Sequence, residues 1–159
     1  MQKGTTLVEL LIYLGLVTVL LAVLTQIFVG ILDVQLSSSS VSVVEQDSRF
    51  ILSRLAYDIE RADTISIPGT VGTQSNNLQM MINGISYSYT ISNGNLVLSR
   101  LSNNYALNSF DTSISNVTFK RVGNGVNNDT IQMSFTTKSD IVVNDQYETK
   151  IINTTFGMR

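Results

Sequence analysis

Residues 7–33 read LVELLIYLGLVTVLLAVLTQIFVGILD. Between Leu10 and Leu32 lie 23 residues without a charge. As a helix that stretch is roughly 34 Å long, against a bilayer hydrocarbon core of about 30 Å. It is too long for an ordinary secretory signal core, and no small-x-small cleavage site follows it closely. Ser37 to Ser40 form a polar run instead. The segment therefore reads as a retained membrane anchor. Lys3 and the amino terminus precede it and Asp33 follows it. Positive charge stays on the cytoplasmic side, so residues 33–159 are expected outside the membrane.

The remainder of the chain differs in kind. Apolar residues make up 43% of the 159, but beyond Asp33 Ser, Thr and Asn dominate. That length suits one compact domain with one appended element. Setting Lys3 and Glu9 aside leaves nine Lys and Arg against eleven Asp and Glu, with no basic block. The electrostatic footprint of a nucleic-acid binder is missing, and no nucleic-acid partner is expected. The chain has no Cys, hence no disulfide and no thiolate site, and no His. The commonest general base, the commonest zinc ligand and every Ser-His triad are excluded. An enzyme, a cofactor and a resident metal are accordingly not expected.

Glu9 stands at the edge of the apolar run, where a carboxylate costs energy and is functional by default. Its neighbours are Lys3-Gly4-Thr5-Thr6-Leu7-Val8-Glu9-Leu10-Leu11. This stretch resembles the processing signature of type IV prepilins and pseudopilins. In that family a short basic leader ends in Gly, and the mature chain carries Glu at its fifth position. The resemblance implies a leader of residues 1–4, cleavage between Gly4 and Thr5 by a prepilin peptidase, and N-methylation of Thr5. Glu9 is then fifth. Thr5 departs from the Phe usual at that place. Cleavage would leave an ammonium on Thr5 that Glu9 of an adjoining subunit can neutralise. Two unit charges about 4 Å apart attract by roughly 4 kcal/mol at an effective dielectric near 20.

Beyond Asp33 the apolar pattern becomes one-sided. Val41, Val44, Ser48, Ile51 and Leu55 recur at helical steps, and Leu52, Leu55, Ala56, Ile59 and Ala62 form a second stripe. Glu45 with Arg49 and Arg54 with Asp58 are i,i+4 neighbours, expected to lace an outward face. No Pro occurs before Pro68, so one near-continuous helix is expected from about Thr5 to Ala62, with Gly15, Gly30 and Ser37–Ser40 as its weak spots. Residues 49–62, RFILSRLAYDIERA, resemble the corresponding segment of PilW-type minor pilins and J-type pseudopilins. The resemblance covers residues 3–63.

From Thr64 the helical period ends, and Pro68-Gly69 marks a turn. Leu78, Met80 and Ile82 alternate with other residues. Asn83-Gly84 follows, then Ile85, Tyr87, Tyr89 and Ile91, then Asn93-Gly94 and Leu96-Val97-Leu98. Asn-Gly between alternating runs signals a hairpin, so a three-stranded meander is expected over 78–101. Residues 114–122, 130–137 and 147–156 read as further strands. Tyr87 and Tyr89 share a strand face and are expected to close a core edge. Asp140, Asn144, Asp145 and Glu148 offer oxygen ligands, yet no calcium-loop pattern is present and a solvated polar loop is expected. Asn116, Asn128 and Asn153 open Asn-x-Ser/Thr triplets, as chance provides in so polar a sequence.

The resulting fold class is α+β: a long N-terminal helix, transmembrane then amphipathic, packed on an antiparallel β-rich region of one sheet or two. Residues 1–4 form the leader, 5–32 the membrane and assembly helix, 33–63 its amphipathic half and 64–159 the β-rich region. The resemblance implies a minor pilin or pseudopilin of a type IV pilus or type II secretion pseudopilus. It implies an inner-membrane location, an N-terminus in the cytoplasm and an extracytoplasmic C-terminal region. Implied partners are other pilins or pseudopilins, the prepilin peptidase, the membrane and an inner-membrane assembly platform. The alternatives are a major pilin, or a lone membrane-anchored binding module such as an adhesin or DNA-uptake receptor.

Overall fold

The computed structural model describes residues 6–123 and 129–158. A single helix, α1, runs from Leu7 to Glu60, unbroken through Gly15, Gly30 and Ser37–Ser40. By its contacts the chain divides into two units, Met1–Ser38 and Ser39–Arg159. From Leu7 on, the first is helix alone. From Leu7 to Ser39 every side chain is exposed except that of Asp33, which is intermediate.

Among the described residues the second unit combines the remainder of α1 with nine antiparallel strands: β1 Thr64–Ile67, β2 Gln74–Ser75, β3 Leu78–Ile82, β4 Ile85–Ser92, β5 Asn95–Arg100, β6 Asn103–Ala106, β7 Thr112–Val122, β8 Thr130–Val143 and β9 Gln146–Gly157. Two sheets result, ordered β1-β3-β4-β5-β6 and β2-β7-β8-β9. The expected meander is β3-β4-β5, turning at Asn83-Gly84 and Asn93-Gly94. Both residues of each turn have positive φ, 50° and 75° in the first and 50° and 76° in the second. Asn tolerates that region and Gly enters it freely, which is why this pair closes two-residue hairpins.

Alternation along the strands explains the core. Leu78, Met80 and Ile82 of β3, Tyr87 and Tyr89 of β4, and Leu96 and Leu98 of β5 all point inward. Strand β7 buries Ile114 but then Val117 and Phe119, an odd step that strict alternation forbids. Its pairing with β8 shifts between Ser115 and Thr118, and Asn116 there has φ 52°. One extra residue in the bulge returns the apolar side chains to the same face. Beside them in the same sheet, β8 buries Ile131, Met133 and Phe135. Both sheets' inner residues form one cluster with Ile51, Leu55 and Ile59 of α1. The helix thus supplies the layer that two polar-faced sheets lack.

Three sequence expectations need correction. Val41 is exposed, and the buried helical stripe starts instead at Ser40 and Val44. The pair Arg54–Asp58 exists, at 2.9 Å, but not on an outward face: Asp58 is 0% exposed. Its Oδ2 also accepts the Tyr89 hydroxyl of β4, so the carboxylate serves the helix–sheet junction. Finally, Asp140 to Glu148 is no open loop. Strands β8 and β9 continue through it to a tight turn at Asn144-Asp145, both with positive φ.

Candidate functional site

The residues that carry the sequence argument lie at the start of α1. Gly4 and Thr5, the expected cleavage and methylation positions, fall outside the described residues, as does the rest of the leader. Asn128 also falls outside them. Glu9 is described, in the first turn of α1. Thr6 is the N-cap: its hydroxyl oxygen accepts the Glu9 N–H at 3.3 Å and its carbonyl accepts the Leu10 N–H at 3.2 Å. Thr6-Leu7-Val8-Glu9 has the spacing of a capping box, with the acid on the third helical residue. A negative charge there also faces the positive end of the helix dipole. One turn on, the Tyr13 hydroxyl donates to Glu9 Oε1 at 3.4 Å. The pattern was readable in the sequence, because Thr at the cap with Glu three residues later is a recognised helix start.

The apolar stretch behind Glu9 is long and apolar enough to cross a membrane. Its polar side chains fit that use. The hydroxyls of Thr18 and Thr25 donate to the carbonyls of Leu14 and Leu21, each at 2.8 Å. A hydroxyl satisfied within its own helix adds little cost in hydrocarbon. Gly15, Thr18, Ala22 and Thr25 follow one another at steps of three and four residues and so share one face. A Cβ added at Gly15 or Gly30 would meet nothing within 4 Å. Nothing among the described residues therefore requires these two glycines, and small residues on a membrane helix let a neighbouring helix approach closely.

The second stretch of α1 is fixed by polar anchors that the sequence did not reveal. Asp47 Oδ2 accepts the Ser109 N–H and hydroxyl, both at 2.8 Å, and the Thr112 hydroxyl. The Ser48 hydroxyl donates to Thr137 Oγ1 at 3.2 Å. Lys150 of β9 pairs with Glu45, which Arg49 also approaches at 3.5 Å. The hydrogen bond from Lys150 lowers the Glu45 pKa. Burial, reinforced by Asp58, raises the Tyr89 pKa well above its ordinary value, so the phenol keeps its proton. Burial pulls the Arg54 guanidinium down, but Asp58 and Tyr89 outweigh it and leave the group firmly cationic. These groups join helix to sheets. Among the described residues no three Asp or Glu side chains converge as a metal site, and the acids from Asp140 to Glu148 are spread along a hairpin.

Comparison with protein-family models, with curated proteins and with solved structures finds no match.

Proposed function

We propose that this chain is a minor pilin or pseudopilin: a structural subunit that assembles through its N-terminal helix into a type IV pilus or a type II secretion pseudopilus. The observation that carries the reading is a division within one helix. Residues 7–38 have no buried side chain, while from Ser40 to Ile59 one face of the helix is buried in a folded unit. A helix that is apolar all round, with a seam of small residues and one carboxylate at its start, suits a lipid environment that can be exchanged for other helices. In this reading Gly4 and Thr5 flank the peptidase cut, and Glu9 neutralises the new Thr5 ammonium of an adjoining subunit. The N-terminus is cytoplasmic and residues 33–159 are extracytoplasmic. Intact mass and N-terminal sequencing of the protein from its native membrane test the processing. The expected product lacks Met1–Gly4 and starts at Thr5, methylated or free. A mass that is unchanged when the host's prepilin peptidase is deleted would remove this support.

One observation favours a second reading, the lone membrane-anchored module. Glu9 has local work to do: it lies in the first turn of its own helix, where its charge faces the positive end of the helix dipole, and its carboxylate accepts from Tyr13. A boundary residue of an ordinary anchor would need no more than that. The two readings part on whether loss of the carboxylate affects partners or only the helix start.

A further inference from the structure

A groove of about 360 Å³ opens in the β-rich unit between α1 and the end of the first sheet. Phe50 and Arg54 of α1, Leu98 and Arg100 of β5, Tyr105 of β6 and Leu107 line it. Sheet order explains why it exists. Strand β6 is the sheet's edge, all four of its residues are exposed, and α1 does not cover them. Two large aromatic side chains are consequently left in solvent, Phe50 and Tyr105, each 52% exposed.

The charge in the groove is not balanced. Its two guanidiniums are met by one carboxylate, Asp58, which the Arg54 Nε and Tyr89 already occupy. Arg100 lies over the Tyr87 ring, 5.1 Å from its centre, and makes no ion pair with any described residue. Its Nε is buried without a hydrogen-bond partner, which native proteins rarely leave so. The groove therefore suits an apolar side chain with a carboxylate beside it.

The chain itself carries that combination. Phe110 is 90% exposed, more than any other large apolar residue described, and Asp111 follows it. Asp111 forms no ion pair or side-chain hydrogen bond with any described residue. Two further exposed aromatics beside acids in this unit are already covered by cations, Tyr147 by Lys138 at 3.6 Å and Tyr57 by Arg61 at 4.7 Å from the ring centre. We propose that the groove of one copy receives Phe110 of a second copy, with Asp111 paired to Arg100. Knob and groove are different patches, so the contact is heterologous and can propagate from copy to copy. This goes beyond the proposed function and does not depend on Glu9, the leader or the membrane helix.

Photocrosslinking tests it. Phe110 is replaced by benzoylphenylalanine in the full-length chain, in bilayers holding a mixture of isotopically light and heavy copies. The position is so exposed that the replacement leaves the fold intact. The expected product is a mixed-isotope crosslink to residues 50–54 or 98–107. Asp111→Arg in the same chain, which breaks no contact of its own copy, abolishes that product, while Asp111→Glu retains it. The proposal is overturned by a crosslink within one chain, to another surface or to another protein. It is equally overturned by no crosslink at all, or by one that survives Asp111→Arg undiminished. Because the readout uses neither processing nor partner pilins, its failure leaves the proposed function standing.

Discussion

Residues 7–38 and residues 39–60 belong to one helix but answer to two environments. In the first stretch no side chain is buried, and the hydroxyls of Thr18 and Thr25 are satisfied by the helix itself. In the second, Val44, Ser48, Ile51, Leu55 and Ile59 are buried, and the carboxylates of Asp47 and Asp58 are held by Ser109, Thr112 and Tyr89. An apolar residue in the second stretch contributes to the stability of this chain. In the first its worth lies in whatever surrounds it. The same substitution should therefore have unlike consequences in the two stretches.

The largest expected effect comes from removing the second stretch. A chain beginning at Thr64 lacks Ile51, Leu55 and Ile59 from the core and both aspartate anchors, and should aggregate or show no cooperative melt. A chain beginning at Asp33 should melt cooperatively. Equal cooperative melts would break the comparison at its root. Next, Leu55→Ala should cost about 2–5 kcal/mol in denaturant unfolding of the β-rich unit, as deletion of a fully buried Leu side chain does. Leu20→Ala, exposed in the first stretch, should leave that unfolding within about 0.5 kcal/mol.

A smaller effect sharpens the polar side of the comparison. Tyr89→Phe removes the hydroxyl that Asp58 accepts from and should cost about 1–3 kcal/mol, because a buried carboxylate loses a donor. It should also change the response to alkali. The folded state holds Tyr89 protonated, so its contribution is complete below the ordinary phenol pKa of about 10 and declines as pH rises above it. Wild-type protein should lose stability in that window, and Tyr89→Phe should lose less. The smallest effect is expected at Glu45. Its carboxylate pairs with Lys150 in solvent, and Glu45→Gln should leave the melt at neutral pH and physiological salt unchanged.

What the sequence disclosed follows the same division. Hairpins were legible because Asn-Gly between alternating runs is a local instruction, and both such turns have the backbone angles that pair requires. The core stripe of α1 was legible from Val44 onward because helical periodicity is local too. Asp58 was misread because an acid four residues from an Arg looks the same whether it faces water or a sheet, and Tyr89 lies 31 residues away. Asp47 was missed for the same reason, its partners being more than 60 residues distant. The bulge at Asn116 was hidden because only pairing with β8 shows where alternation slips. The groove at β6 depended on sheet order, which no local pattern encodes. At Glu9 the membrane context was legible; the cap at Thr6 went unread, although Thr with Glu three residues later is a local pattern, and it gives the residue a second explanation.

Those two explanations meet in one measurement. Wild-type, Glu9→Ala and Glu9→Gln chains are expressed at matched levels in native membranes, and other pilins are recovered with each by co-purification or crosslinking. Glu9→Ala should insert normally, since removing a charge makes an apolar segment more readily accepted. It should nevertheless recover far fewer partner pilins, because a neighbour's Thr5 ammonium would enter the helix bundle unpaired, at a cost of several kcal/mol. Glu9→Gln should be intermediate at best. Equal recovery of partners by all three would reduce Glu9 to a first-turn acid of an ordinary anchor and contradict assembly through this helix.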